Sequence, residues 1–327
     1  MPKRAIVMKE LKILWLQGQG CSGCSISLLQ SSYPSLEEFV ETSLRELKIN
    51  INFHPLFMPL NFLDEGGISK LLCDPQSDNF LFIIEGSIPT RDSDKNLTLH
   101  IEGEEIPFAK YIEKISLKAL AVMAVGTCAS FGGINALDPD LTGARGVREI
   151  LGSNHRSRKG LPVINVPGCP PHPDWILGTL LDIILYILDI GTPIELDEYN
   201  RPKRFYARTV HESCPLAGFF SETIFAKKFG EQGCLLALGC KGPVAYGDCP
   251  ERKWNGGVSS CMISGSVCIG CTEPGFPREF MPFIYYPPKP LPLIFPPPAS
   301  VVQLYGLYGR SMWEELLKKK TRLGGQA

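Results

Sequence analysis

The sequence carries almost no net charge, and this scarcity removes two classes of partner. Its 33 lysines and arginines balance 34 aspartates and glutamates, which leaves a formal net charge of -1. Nucleic acids and anionic membrane surfaces are bound through an excess of positive charge. The composition therefore indicates neither a nucleic-acid partner nor a charged lipid surface.

Long apolar runs are also lacking. The longest apolar stretch, residues 175–190, is interrupted by two aspartates and is shorter than the roughly 20 residues that a membrane-spanning helix needs. The first apolar run, Leu11 to Leu16, is too short for the hydrophobic region of a signal peptide, and no twin arginine precedes it. We therefore expect no transmembrane segment and a cytoplasmic location. Peripheral association with a membrane, or export to the periplasm on a partner with its own signal, stays an alternative.

Histidine is scarce, with five residues, whereas cysteine is abundant, with twelve. A disulfide framework is typical of short, cysteine-dense secreted chains, but this chain has 327 residues and 44% hydrophobic content. Four soft ligands in each of three groups are the number that three cubane iron–sulfur clusters require. The groups are Cys21, Cys24, Cys128 and Cys169; His211, Cys214, Cys234 and Cys240; and Cys249, Cys261, Cys268 and Cys271. Cys73 is left over, and we interpret it as a small buried hydrophobic residue.

Zinc is an alternative for each group, because four cysteines, or three with one histidine, also satisfy its tetrahedral coordination. Structural zinc sites usually draw their ligands from two nearby segments. The first group instead draws on three segments spread over almost 150 residues, from Cys21 to Cys169. This spread disfavours zinc for the first group, and spacing alone leaves zinc open for the other two.

The first half of the chain has the pattern of an α/β protein with a doubly wound parallel sheet. Short apolar, β-branched runs predict strands buried on both faces, and these are Ile13–Leu16, Ile51–His54, Phe80–Ile84, Leu120–Val125 and Val163–Val166. Helical patterns separate them, at Leu36–Leu47, Phe108–Leu117 and Trp175–Leu188. Ligands in such sheets bind beyond the carboxyl ends of the strands. The loops that carry the first four cysteines follow strand ends, so we expect them to converge on one crevice.

Beyond about residue 192 strands become hard to find, while cysteine, glycine and proline become frequent. We predict a domain boundary here, with residues 1–192 forming the first domain and residues 193–327 a loop-rich second one. One helix is predicted from Leu216 to Phe229. The remaining loops would need metal centres to fold around.

Seven short motifs occur in the order seen in the small subunit of [NiFe] hydrogenases, and residues 11–283 resemble that family. The motifs are Cys21–Ser25, Glu85–Ser87, Gly126–Ala129, Pro167–Pro173, His211–Cys214, Cys234–Cys240 and Cys268–Pro274. The resemblance implies a flavodoxin-like domain with a proximal [4Fe-4S] cluster, followed by a domain with medial and distal clusters. It matches Cys21, Cys24, Cys128 and Cys169 to the proximal cluster, and His211, Cys214, Cys234 and Cys240 to the distal one.

The medial group, Cys249, Cys261, Cys268 and Cys271, departs from the commonest family pattern. Many members have proline where this chain has Cys261, which leaves three cysteines and a three-iron cluster. The fourth cysteine predicts a medial [4Fe-4S] cluster, as in selenium-containing relatives. A free Cys261 beside a [3Fe-4S] cluster is the alternative. Oxygen-tolerant relatives carry further cysteines at places that correspond to Gly23 and Gly133, so an ordinary, oxygen-sensitive proximal cluster is expected.

The resemblance also implies a division of labour between two chains. The sequence has no nickel-binding cysteine pairs of the large-subunit type, so a partner large subunit would hold the nickel–iron site that oxidises or evolves hydrogen. This chain would relay electrons through its clusters to an acceptor that docks near His211. Glu85 could carry protons at the subunit boundary, or its carboxylate could orient the loop by hydrogen bonds.

Two other readings stay open at the level of sequence. A complex I-like electron-transfer subunit shares the proximal-cluster domain, but it lacks the second and third ligand groups. A zinc-stabilised interaction module would have neither iron nor redox activity.

Overall fold

A computed structural model describes residues 11–32, 34–39, 41, 49–53, 79–91, 96–101, 103–137 and 140–278. Cys73, part of the predicted helix Leu36–Leu47 and His54 lie outside the described residues. The chain divides into two compact units, Met1–Arg204 and Phe205–Ala327. This division falls somewhat later than the boundary predicted at residues 192–193, which stays a prediction.

The described part of the first unit is organised around one parallel sheet. Its strands are β1 (Leu11–Gln17), β2 (Ile49–Phe53), β3 (Asn79–Glu85), β6 (Ala121–Val125) and β7 (Ile164–Val166), while β4 (Thr98–Ile101) and β5 (Glu104–Pro107) form a separate antiparallel pair. The sheet order is β2-β1-β3-β6-β7. Counted within the sheet alone, this is the 2-1-3-4-5 order of flavodoxin-like folds. The predicted flavodoxin-like parallel sheet is confirmed.

Both faces of this sheet are buried, which explains the near-continuous apolar runs. On one face Leu14, Phe82 and Val122 pack in a cluster with Phe108 and Ile112. The intervening strand residues point to the other face and are also buried, namely Ile13, Trp15, Leu81, Ile83 and Met123. The side chains of these strands therefore alternate between two buried faces rather than between core and solvent.

Short helices follow most strands of the first unit. They are α1 (Gly23–Leu28), α2 (Leu36–Glu38), α3 (Phe108–Ser116), α4 (Gly126–Phe131), α5 (Val147–Leu151) and α6 (Pro173–Ile187). Helices α3 and α6 lie where apolar periodicity predicts them, within two residues at each end. The side chain of His172 accepts a hydrogen bond from the Asp174 amide at 3.2 Å and so caps α6.

The second unit has little regular structure among the residues described. Its helices are α8 (Ala217–Ser221) and α9 (Cys249–Arg252), with 3₁₀ turns at Leu235–Leu238 and Gly242–Val244, and α7 (Lys203–Tyr206) spans the division between the units. A small apolar cluster forms its core, and Cys268 belongs to that cluster. The predicted loop-rich character is therefore seen in the structure.

The predicted helix from Leu216 to Phe229 is wrong in its second half. Helix α8 ends at Ser221, and Thr223 has a positive φ of 59°, which a continuing right-handed helix does not allow. The chain then turns back, and Cys234 donates its backbone N–H to the Ile224 carbonyl at 2.9 Å. Apolar spacing in this segment reflects packing around a turn rather than a helix face.

Within the described parts of the chain, no helix combines the length and the apolar character needed to cross a membrane.

Candidate metal centres

The first group of cysteines lies at the carboxyl edge of the parallel sheet. Cys21 and Cys24 follow β1, Cys128 lies in α4 directly after β6, and Cys169 follows β7. Parallel strands end at the same edge, so these three loops meet although they are far apart in sequence. The expected convergence at one crevice is thus a property of the strand order.

The four sulfur atoms of this group act on one another electrostatically. Burial raises the pKa of the Cys24 thiol well above its usual range, and Glu85 and the other three cysteines of the group raise it further. Burial, with Cys169 as the next cause, raises the pKa of Cys128 to about 11. Thiolates are the form that binds iron, so a cluster here would have to displace protons from these thiols.

The four cysteines lie near one another, but their side chains are not arranged around a single metal ion. Among the described residues, no group of three histidine, cysteine, aspartate or glutamate side chains is arranged to hold a single metal ion. In a cubane cluster each cysteine binds a different iron, so its four sulfurs surround the cluster. Four mutually interacting cysteines from three loops fit that requirement in number and chemistry.

Two glycines let the backbone approach these sulfurs closely. A Cβ added at Gly126 would lie 2.5 Å from Cys24 Sγ, and one added at Gly133 would lie 2.7 Å from Cys128 Sγ. Both residues also have positive φ angles, 89° and 57°, which favour glycine. The space beside the first group therefore depends on the absence of side chains at these positions.

An iron–sulfur cluster bound by the first group is expected to be lost when Gly126 is replaced by alanine. The methyl group would collide with Cys24 Sγ, whereas at Gly160, which has a similar φ of 78°, an added Cβ meets nothing within 4 Å. Gly160→Ala should therefore lower the free energy of unfolding only through backbone strain, by about 1–2 kcal/mol. Iron analysis and thermal unfolding of the purified complex test the pair. Equal iron contents would contradict the close-approach argument.

Glu85 lies beside the first group and is buried, with 1% of its surface exposed. Its Oε1 accepts a hydrogen bond from the Ser25 amide at 3.3 Å, and its Oε2 accepts one from Trp15 Nε1 at 3.2 Å. The Ser25 hydroxyl also donates to Oε2. Sequence reasoning singles out Glu85 but not these two partners. Their signal in the sequence is weak, since Ser25 simply follows Cys24 and Trp15 belongs to the neighbouring strand.

The second group surrounds an apolar pocket in the second unit. His211, Cys214, Cys234 and Cys240 all line it, together with apolar residues that include Leu216 and Met262. Burial lowers the pKa of His211, and the opposing effect of Glu212 is smaller. A neutral imidazole is the form that binds metal. The His211 ring also packs edge-on against Phe220, with the ring centroids 4.5 Å apart.

The third group adjoins the second within the same unit. Burial raises the pKa of Cys249, and Cys271 and Cys261 raise it further. Burial also raises the pKa of the Cys268 thiol, and Cys240, Cys271 and Cys249 raise it further. Cys261 raises the pKa of Cys249 in its own group and that of Cys240 in the second group, and it is more exposed than the other cysteines of its group.

Backbone amides counteract the effect of burial on four thiols of the second unit. The amide two residues further along the chain lowers the thiol pKa in each case, namely Leu216 for Cys214, Leu236 for Cys234, Gly242 for Cys240 and Gly270 for Cys268. An amide near the sulfur favours the thiolate and so partly offsets burial. Hydrogen bonds to sulfur are also among the factors that set the potential of an iron–sulfur cluster.

Family models match both units of the chain. The family of the C-terminal region of NiFe/NiFeSe hydrogenase small subunits matches residues 206–284. The family described as NADH ubiquinone oxidoreductase, 20 Kd subunit, matches residues 21–183. The two matches cover the two units separately.

Similar proteins span most of the chain. The periplasmic [NiFeSe] hydrogenase small subunit of Desulfomicrobium baculatum is 38% identical over 287 residues, which cover 84% of this chain and 87% of that protein. The F420 non-reducing hydrogenase II small subunit of Methanosarcina mazei is 36% identical over 85% of this chain and 76% of its own length.

Solved structures are also similar over most of the chain. A chain of the Ni-Fe-Se hydrogenase from Desulfomicrobium baculatum in a reduced, active form has a TM-score of 0.72 at 35% identity, covering 82% of this chain and 96% of that one. A chain of the actinobacterial-type NiFe-hydrogenase from Ralstonia eutropha has a TM-score of 0.79 at 35% identity, covering 97% of this chain and 92% of that one.

Proposed function

Because this chain belongs to the family of [NiFe] hydrogenase small subunits, we propose that its three ligand groups hold three iron–sulfur clusters, all of the [4Fe-4S] type. The chain is the electron-transfer subunit of a hydrogenase, and its partner is the large subunit. The nickel–iron site, where hydrogen is split or formed, lies on that partner. An iron–sulfur cluster, when bound, takes up and releases one electron.

The observation that carries this proposal is the set of four mutually interacting cysteines at the carboxyl edge of the sheet. We assign Cys21, Cys24, Cys128 and Cys169 to the proximal cluster. In the second unit we assign His211, Cys214, Cys234 and Cys240 to the distal cluster, and Cys249, Cys261, Cys268 and Cys271 to the medial one. An external acceptor would dock near His211.

The chain's own residues prepare these sites in three ways. Glycines keep side chains away from the sulfurs, as at Gly126 and Gly133. Cys234 and Cys268 are buried, which limits the access of water to these two sulfurs, and backbone amides partly offset the effect of burial on the thiol pKa of Cys214 and Cys268. Burial also keeps His211 neutral and thus able to bind iron.

A four-iron medial cluster is supported by the electrostatic influence of Cys261 on Cys249. A fourth thiolate adds negative charge, and cluster type and charge set the reduction potential. The medial potential should therefore be lower than with three cysteines. The lack of cysteine at Gly23 and Gly133 supports an ordinary proximal cluster with conventional oxygen sensitivity.

The complex I-like alternative is not favoured. The match of residues 21–183 to a family of that enzyme fits the shared proximal-cluster domain. The match of residues 206–284 to the hydrogenase small-subunit family adds the cluster-binding second unit, which the complex I-like reading does not require.

The cellular location is a separate proposal. We keep the cytoplasm as the prediction, while the similar small subunits of Desulfomicrobium baculatum and Nitratidesulfovibrio vulgaris are named periplasmic. Fractionation of cells and detection of the chain in the cytoplasm or the periplasm would separate the two locations.

Elemental analysis of the native complex, captured without oxygen through a tag on this chain, tests the proposed function. We expect about one nickel per chain and about a dozen irons or slightly more, because three four-iron clusters add to the partner's site. Iron without nickel would favour the complex I-like electron carrier. Zinc without iron would leave only a structural module.

A further inference from the structure

We infer that Glu85 is a positioning residue that sets the reduction potential of the proximal cluster, because its carboxylate both anchors the Cys24 loop and opposes the uptake of an electron. This inference rests on the proposed proximal cluster and adds to it a residue that is not a ligand. It also assigns Glu85 a role other than proton transfer.

The place of Glu85 in the sheet brings its charge to the cluster. It is the last residue of β3, the middle strand of the described sheet. In register it lies beside Gln17 of β1 on one side and Val125 of β6 on the other. The loops that follow those two strands carry Cys24 and Cys128. The carboxylate is thus held between two ligand-bearing loops and acts electrostatically on both cysteines.

The hydrogen bonds of Glu85 hold the side chain in one position. Ser25, the residue after Cys24, donates to it through both its amide and its hydroxyl, and Trp15 donates through its indole N–H. An ionised carboxylate is an acceptor only, and each of these three contacts brings it a donor. These contacts fix the side chain beside the Cys24 loop.

This geometry suits a fixed charge better than a proton carrier. A carboxylate that picks up a proton becomes a donor at that oxygen. Both oxygens of Glu85 already accept from N–H groups, which cannot act as acceptors, and only the Ser25 hydroxyl could reverse its direction. An ionised Glu85 satisfies all three donors as they stand, whereas a protonated one would need that reversal.

A fixed negative charge changes the energy of cluster reduction. The reduced cluster carries one more electron than the oxidised cluster, and no other group need change its charge. Repulsion between that electron and the carboxylate is weakly screened in a buried site. Glu85 should therefore favour the oxidised cluster and lower its reduction potential.

Glu85→Gln in the complete heterodimer tests this inference, with a redox titration of the clusters followed by electron paramagnetic resonance. The substitution keeps the size of the side chain and removes its charge. We expect about a tenfold shift of the proximal reduction equilibrium towards the reduced cluster, which corresponds to a potential about 59 mV more positive for one electron.

Trp15→Phe and Ser25→Ala are matched controls that keep the charge and remove one donor each. With one donor fewer, the negative charge of the Glu85 carboxylate is less well balanced and should repel the added electron more strongly. The reduction potential of the proximal cluster should therefore become more negative. Opposite shifts in the charge variant and the donor variants are thus the expected signature. A purely structural role would move all three potentials in the same direction.

An unchanged proximal potential in a Glu85→Gln complex with full iron content would overturn the inference, and so would a positive shift in Trp15→Phe. If Glu85→Gln does not retain the cluster, the direction of the shift in Trp15→Phe decides, and only a negative shift supports the inference. A wild-type complex without iron would overturn the proposed function itself, which is a distinguishable result.

Discussion

Cys24→Ser is expected to abolish hydrogen-driven reduction of an external acceptor while the complex still exchanges hydrogen isotopes with water. Cys24 interacts with the three other cysteines of the proximal group, so its loss should remove a cluster of about four irons. Heterolytic cleavage on the large subunit needs no onward electron, and exchange therefore continues. Acceptor reduction, isotope exchange and iron content should be measured on the same preparation.

Cys73→Ser is the matched control, because it makes the same chemical change at the one cysteine outside the three groups. It should leave iron content and both activities unaltered. Full acceptor reduction in the Cys24 variant would show that Cys24 is not needed for electron transfer. Loss of the large subunit from the variant, seen as missing nickel, would show instead that the site is needed for assembly.

Cys261→Pro is expected to convert the medial cluster to a three-iron form. The family resemblance predicts proline at this place in many small subunits, and the substitution removes the thiol that we assign as the fourth ligand. The oxidised protein should show the paramagnetic signal of a [3Fe-4S] cluster and about one iron fewer per chain. The medial potential should rise, since one thiolate is lost.

Cys261→Ala separates the ligand from the backbone. Alanine removes the thiol and leaves the amide, so it should give the same three-iron signal as proline. If neither variant gains this signal, the four-iron assignment is wrong and Cys261 is a free thiol. If only the proline variant gains it, the backbone change rather than the thiol controls the cluster.

Much of the first unit could be predicted because its signals are local and mutually consistent. The apolar runs of β1, β3 and β6 are buried on both faces, so their composition alone separates them from amphipathic helices. Once parallel strands are recognised, convergence of the loops that follow them is required by topology. The sequence therefore predicted which end of the sheet holds the first site.

Features without a distinctive local pattern could not be predicted. The hairpin of β4 and β5 was missed, because its residues alternate weakly and include exposed glutamates. In the second unit, the apolar residues from Leu216 to Phe229 have helical spacing, but the positive φ of Thr223 ends the helix. That conformation depends on the turn towards Cys234, which is a tertiary effect.

The same distinction applies to the sites. The ligand groups are predicted from spacing, motif order and family resemblance, since each cysteine is visible in the sequence, and their assignment stays a prediction. The partners of Glu85 could not be predicted, because Trp15 is 70 residues away along the chain and is brought close by strand pairing. The amides that lower the thiol pKa values depend on backbone direction, for which residue type is a poor guide.

The scarcity of regular structure in the second unit bears on the timing of biosynthesis. Its described residues form only short helices and turns around a small apolar cluster, to which Cys268 belongs. The first unit can close around its sheet as soon as its strands have been synthesised. The second unit has few regular elements among its described residues, so the proposed clusters would contribute much of its folding free energy. We therefore expect the second half of a newly made chain to become compact and resistant to proteases only after iron is delivered.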